Sequence, residues 1–118
     1  MFVINKSKKK VLSGDAVMQE NVIGKCLGLM FRRKPQSMIL RFSREGFHSL
    51  HMWFVFFPID VLFLDKSKKV VEIKERFLPW TMYRPRRKAQ YVVELPHGSV
   101  QETSTEVGDH ITFTASNL

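Results

Sequence analysis

The chain has 118 residues, 44% of them hydrophobic and 25% charged, with a formal net charge of +8. That length fits one domain around one core, and the composition excludes disorder except at the ends. Cys26 is the sole cysteine, so an internal disulfide is excluded, which suits a reducing compartment.

The charge is unevenly placed. Residues 1–44 hold ten Lys and Arg against two acids, residues 45–90 nine against five, and residues 91–118 none against four. A balance this basic sets a nucleic acid or anionic surface against the plainer reading of a solvated basic face. The opening MFVINKSKKK has no apolar run of signal-peptide length and no small-residue cleavage site, so a cytoplasmic protein is expected.

In chain order, Phe2–Ile4 and Val11–Leu12 flank the turn KSKKK and predict an N-terminal hairpin. Val17, Met18, Val22, Ile23, Cys26 and Met30 recur at spacings that predict one short α-helix near residues 16–30, ending about Gly28 and stopped by Pro35. Met38, Leu40 and Phe42 alternate with Ile39, Arg41 and Ser43, the pattern of a strand before a turn at Glu45–Gly46. The block from Phe47 to Asp65, FHSLHMWFVFFPIDVLFLD, carries much of the hydrophobic weight. It is too short and too interrupted for a bilayer, which needs about 20 consecutive apolar residues. It predicts two core strands, His48–Val55 and Ile59–Leu64, parted at Pro58, which cannot donate to a ladder. After the polar turn DKSKK at 65–69, Val70, Val71 and Ile73 begin another strand. Residues 77–89, with Pro79, Pro85 and four basic side chains, predict a loop. Tyr91–Leu95 reads as a strand with alternating exposure, Gly98–Thr105 as a turn or single helical turn, and His110–Thr114 as the last strand. About seven short strands at roughly ten-residue spacing predict a mostly β fold, α+β at the margin: a small antiparallel β-barrel-like single domain over 1–118.

Several phrases line up in order: GLMFR at 28–32, HMWFVFFPIDVLFLD at 51–65, PW at 79–80, AQYVVELPHG at 89–98 and VGD at 107–109. Together they resemble the uncharacterised family called domain of unknown function 192, over a core of about 24–113. The likeness is to its shorter, leaderless archaeal members. The resemblance implies a compact, mostly β, barrel-like domain with a short helix, and it brings no activity, cofactor or catalytic residue.

Asp60 lies among Phe57, Pro58, Ile59, Val61 and Leu62. Desolvation there would suit a general acid or base, while a hydrogen-bonded or Arg32-paired structural carboxylate is the plainer alternative. His48 and His51 form an HxxH spacing, but on a strand they point to opposite faces and cannot share a metal. Cys26 falls on the apolar stripe of the expected helix, where a thiol is ordinarily a small core residue. No fingerprint of nucleotide binding or nucleophilic catalysis appears. The basic clusters Arg32–Arg33–Lys34 and Arg84–Pro85–Arg86–Arg87–Lys88 stand out, the second near Trp80 and Tyr83. Cations that neutralise phosphates beside stacking aromatics are the equipment of single-strand-binding barrels. The dense run Trp53, Phe54, Phe56 and Phe57 reads instead as core.

These residues predict a non-catalytic binding module, with Arg32, Trp53, Asp60, Trp80, Tyr83 and Arg84 as candidate ligand-binding residues. The expected partner is an anionic small molecule or extended peptide. A nucleic-acid-binding protein using the basic loops is the alternative, and a hydrolase or transferase using Asp60 is the third reading. No cofactor, metal or membrane span is expected, and the chain is expected to be a monomer or weak homo-oligomer.

Overall fold

A computed structural model describes residues 1–20, 30 and 32–115 of the chain. Its strands, in chain order, are β1 (Phe2–Asn5), β2 (Lys10–Ser13), β3 (Val17–Gln19), β4 (Met38–Gly46) and β5 (Leu50–His51). There follow β6 (Ile59–Leu64), β7 (Val70–Phe77), β8 (Met82–Tyr83), β9 (Ala89–Pro96) and β10 (Ile111–Thr114), with one short helix, α1 (Ser99–Thr103), between the last two. A five-stranded sheet in the order β3-β4-β9-β6-β7 forms the centre. Beside it lie a three-stranded sheet, β10-β1-β2, and a two-stranded ribbon, β5-β8. The fold is mostly β, and the sheets do not close, so it is barrel-like only in outline.

The central sheet is buried on both faces, which is why β6 reads IDVLFL without polar alternation and all six of its residues are buried. Alternate residues serve two cores. Met38, Leu40, Val61, Phe63 and Val92 face a cluster completed by Leu50, Met52, Val55 and Phe57 from the following loops. Ile39, Leu62, Leu64, Val93 and Leu95 face the other, completed by Val3, Leu12, Val100 and Ile111. Burial of that apolar area, at about 25 cal/mol per Å², drives the assembly. The two larger sheets join at a corner where Val70 donates to the Asp109 carbonyl (2.9 Å) and Ile111 to that of Lys68 (2.9 Å).

A side-chain network ties the chain's two ends together. Buried Asn5 donates through Nδ2 to Thr105 Oγ1 (3.0 Å) and Asp109 Oδ2 (2.9 Å), and Lys8 Nζ reaches Asp109 Oδ1 (3.1 Å) and Glu106 Oε1 (2.6 Å).

The helix expected near 16–30 is not what its first residues form. Val17–Gln19 is a strand running parallel to Met38–Leu40, with the Val17 N–H on the Ser37 carbonyl at 3.0 Å. An extended edge pairing there satisfies backbone groups that the helical spacing assigned to a helix. Most of the rest of that helix, Cys26 included, lies outside the described residues. The expected strand His48–Val55 shrinks to Leu50–His51, and Met52 onward is irregular.

Candidate functional site

Two loops rise from the end of the central sheet where Ile59 pairs with both Phe77 and Pro96. Residues 52–58 enter β6, and residues 78–81 leave β7. They are zipped together through Met52, whose N–H donates to the Thr81 carbonyl (2.8 Å) while its own carbonyl accepts from the Trp80 N–H (2.8 Å). Their sequence alternates by burial. Met52, Val55 and Phe57 turn into the core, and Trp53, Phe54 and Phe56 turn out, with Phe56 56% exposed. Trp80 joins them outside, its ring 5.0 Å from Phe54 edge-on and 6.4 Å from Trp53. Phe54 (φ 58°) and Trp80 (φ 64°) both hold left-handed backbone. For a bulky residue that conformation costs about 1–3 kcal/mol and persists only where the surroundings impose it. The aromatic run predicted as core is thus half surface.

The basic loop lies next along the chain. Glu72 on β7 accepts the Tyr83 hydroxyl and, through Oε1, the N–H groups of Arg86 (2.8 Å) and Arg87 (2.9 Å). Pro85 is buried, so the loop is held from both sides while Arg84, Arg86, Arg87 and Lys88 point to solvent. Tyr83 packs its ring near Phe63 (5.8 Å) and Phe77 (6.2 Å). Burial first, then the hydrogen bond and charge of Glu72, push its phenol up to about 12. Lys88 lies over the exposed Phe47 ring at 5.8 Å, a cation–π contact.

Asp60 faces the opposite side of the sheet and is fully buried. The β6–β7 pairing slips between Ile59 and Val61, and Arg76 (φ 49°) sits at that bulge with its N–H turned onto Asp60 Oδ1 at 3.0 Å. Gly98 (φ 101°) and Val100 donate to Oδ2 at 3.0 and 3.1 Å, and His97 Nδ1 meets Oδ1 at 2.9 Å. Helix α1 has no side-chain cap of its own, so Asp60 supplies one from β6.

The six predicted residues therefore separate. Trp53 and Trp80 meet; Tyr83 packs on Phe63 and Phe77 at the head of the basic loop, where Arg84 is exposed; Asp60 lies under the other face. Arg32 is exposed, on the segment leading to β4. His48 stacks on Phe42 at 3.5 Å and His51 sits beside Trp53, so the HxxH pair diverges. Among the described residues no cluster of three His, Cys, Asp or Glu could hold a metal, and no helix is long and apolar enough to cross a membrane. Sequence reasoning missed Glu72, which organises the basic loop, and Glu94, a buried acid on β9. For Glu94 the signal was present: a carboxylate inside the apolar strand YVVEL.

The family model of domain of unknown function 192, described as an uncharacterized ACR, matches residues 3–113. A UPF0127 protein of Pyrococcus furiosus is 36% identical over 111 residues, covering 92% of this chain and 95% of its own length. One from Thermococcus sibiricus is 36% identical over 113 residues, covering 93% of this chain and 73% of its own length. The crystal structure of a candidate transcription regulator from Sinorhizobium meliloti superposes with a TM-score of 0.84 at 22% identity, over 94% of this chain and 89% of that one. A protein of unknown function from Novosphingobium aromaticivorans gives 0.83 at 20% identity, over 95% and 82%. These two likenesses speak to fold alone. With a family model spanning nearly its whole length and archaeal relatives above 30% identity, the chain belongs to the domain of unknown function 192 family.

Proposed function

We propose that the protein is a non-catalytic binding module that takes an anionic, extended peptide segment on its aromatic face. One observation carries this reading: Phe54 and Trp80 are held in left-handed backbone, ring against ring, yet both stay exposed, and the pinned basic loop follows Trp80 directly in the chain. A fold that tolerates two costly conformations to present aromatics outward is preorganised for contact, and preorganisation lowers the cost of binding. Aromatic anchors rimmed by arginine are the usual composition of contact surfaces. A peptide is favoured over a small molecule because the exposed rings of Trp53, Phe54, Phe56 and Trp80 are spread over two adjoining loops, which suits an extended segment.

Single-stranded nucleic acid is the second reading, since exposed tryptophans and arginines serve it too. It is the weaker one because Tyr83 is engaged by Glu72 and the core. An enzyme working through Asp60 would have to act by way of His97, which Asp60 holds at 2.9 Å, because the Asp60 carboxylate is itself enclosed by donors.

The test is Arg84→Ala with Arg86→Ala, assayed by titration of acidic peptide and of oligonucleotide at low and high salt. At least tenfold weaker peptide binding with an unchanged melting temperature is expected. Wild-type binding of oligonucleotide but not of peptide would install the second reading instead.

A further inference from the structure

Strand β9 sets Glu94 directly opposite Met38 on β4 and Val61 on β6. Antiparallel partners share a face with their Cβ atoms about 4.5–5.5 Å apart, and both of these are completely buried. The same face carries Leu40, Phe63 and Val92, roofed by the loops that display the aromatics. Glu94 is thus an acid on an apolar floor, 9% exposed, and burial pushes its carboxyl up to about 7.

The chain treats its other buried acids differently. Asp60 has three backbone N–H donors and His97; Asp109 has Asn5, Lys8 and the Glu106 N–H. Among the described residues no hydrogen bond or ion pair reaches the Glu94 carboxylate. None of those residues has a wholly buried side-chain oxygen without a partner either, so the Glu94 oxygens touch solvent through the remaining opening. A carboxylate so placed lacks only a donor, for buried charges are ordinarily paired. Its position fits the aromatic surface: Pro96, two residues on, pairs with Ile59, and the loops start from that end of the sheet.

We propose that Glu94 anchors a second subsite on this face, one that takes a protonated amine or guanidinium carried on an apolar stem. An ionised carboxylate only accepts hydrogen bonds, and ammonium and guanidinium groups only donate them. The apolar surroundings of Met38 and Val61 suit the stem. A metal ion would want further ligands, which the apolar neighbours Met38 and Val61 do not offer. The subsite goes beyond the anionic-peptide reading and stands or falls separately from it, since it uses none of the arginines.

The test uses the full chain and three probes: phenethylamine, phenylguanidine and, as neutral isostere, 2-phenylethanol. Calorimetric titration of the wild type is expected to show the two cations binding at least tenfold more tightly than the alcohol. Glu94→Gln is expected to abolish that preference. The methyl resonances of Met38 and Val61 should shift in the wild type on addition of the amine, a measurement that needs no variant. Equal binding of amine and alcohol, unchanged amine affinity in Glu94→Gln, or unmoved Met38 and Val61 signals would overturn the proposal.

Discussion

Asp60 holds a bulged strand, a glycine turn and a helix start on one pair of oxygens. Asp60→Asn would aim an amide at N–H groups that need an acceptor, and an unsatisfied buried donor costs about 1–3 kcal/mol. With several donors affected, a loss of roughly 2–4 kcal/mol is expected in urea unfolding; a loss under about 0.5 kcal/mol would show that the donors find other partners. Glu94 acts with the opposite sign to an ordinary surface acid. Its folded pKa is raised, from 4.5 to about 7, so the native state keeps a proton that the unfolded chain gives up. Stability from this group is therefore full below about pH 4.5 and falls as pH climbs to 7, by on the order of 3 kcal/mol at 1.36 kcal/mol per unit. Glu94→Gln should flatten that slope in denaturant melts at pH 5 and pH 8; an unaltered slope would mean that another group causes it. Asp109 guards the acid side. Burial alone would raise its pKa, but hydrogen bonds from Asn5, the Glu106 N–H and Lys8, with the Lys8 charge, outweigh that and hold it below the usual value. The stability it contributes is lost as pH falls through its folded pKa.

At the scale of elements, the two aromatic loops decide what the surface offers. Trp80→Gly fits the left-handed backbone without the side chain's penalty. Its unfolding free energy is expected to stay within about 1 kcal/mol of wild type, while acidic-peptide affinity drops at least tenfold. A collapse in stability instead would make Trp80 a packing residue. The same loops show how far the sequence could be read. β6 was legible to the residue, since Pro58 marks its start and an apolar run interrupted only by Asp60 its extent. The exposed half of the aromatic run was not, because Trp53, Phe54 and Phe56 are apolar whichever way they face. Only the zipping at Met52 and the positive φ of Phe54 turn them outward. The strand at Val17–Gln19 was equally hidden, since three residues show no period and its partner lies some twenty residues on.

Across the whole molecule, the N-terminal hairpin and the positions of β4 and β9 were legible locally, but the alternating exposure expected of Tyr91–Leu95 is absent, since both faces of that strand are covered and all five residues are buried. The pairing of β1 with β10 was not legible, since it joins the chain's ends through Asn5 and Asp109. Function separates in the same way: composition revealed a basic chain, but only the fold brings Trp53 and Trp80 together and sets Asp60 apart from them. Both tryptophans of the chain lie on this one face, so their fluorescence reports on it directly. The decisive measurement is a titration of the wild-type chain with an extended acidic decapeptide, following tryptophan emission at low and high salt. A saturable change that weakens as salt rises is predicted, because part of the attraction is between exposed charges. Emission that stays constant at both salt concentrations would contradict an aromatic face built for an anionic partner.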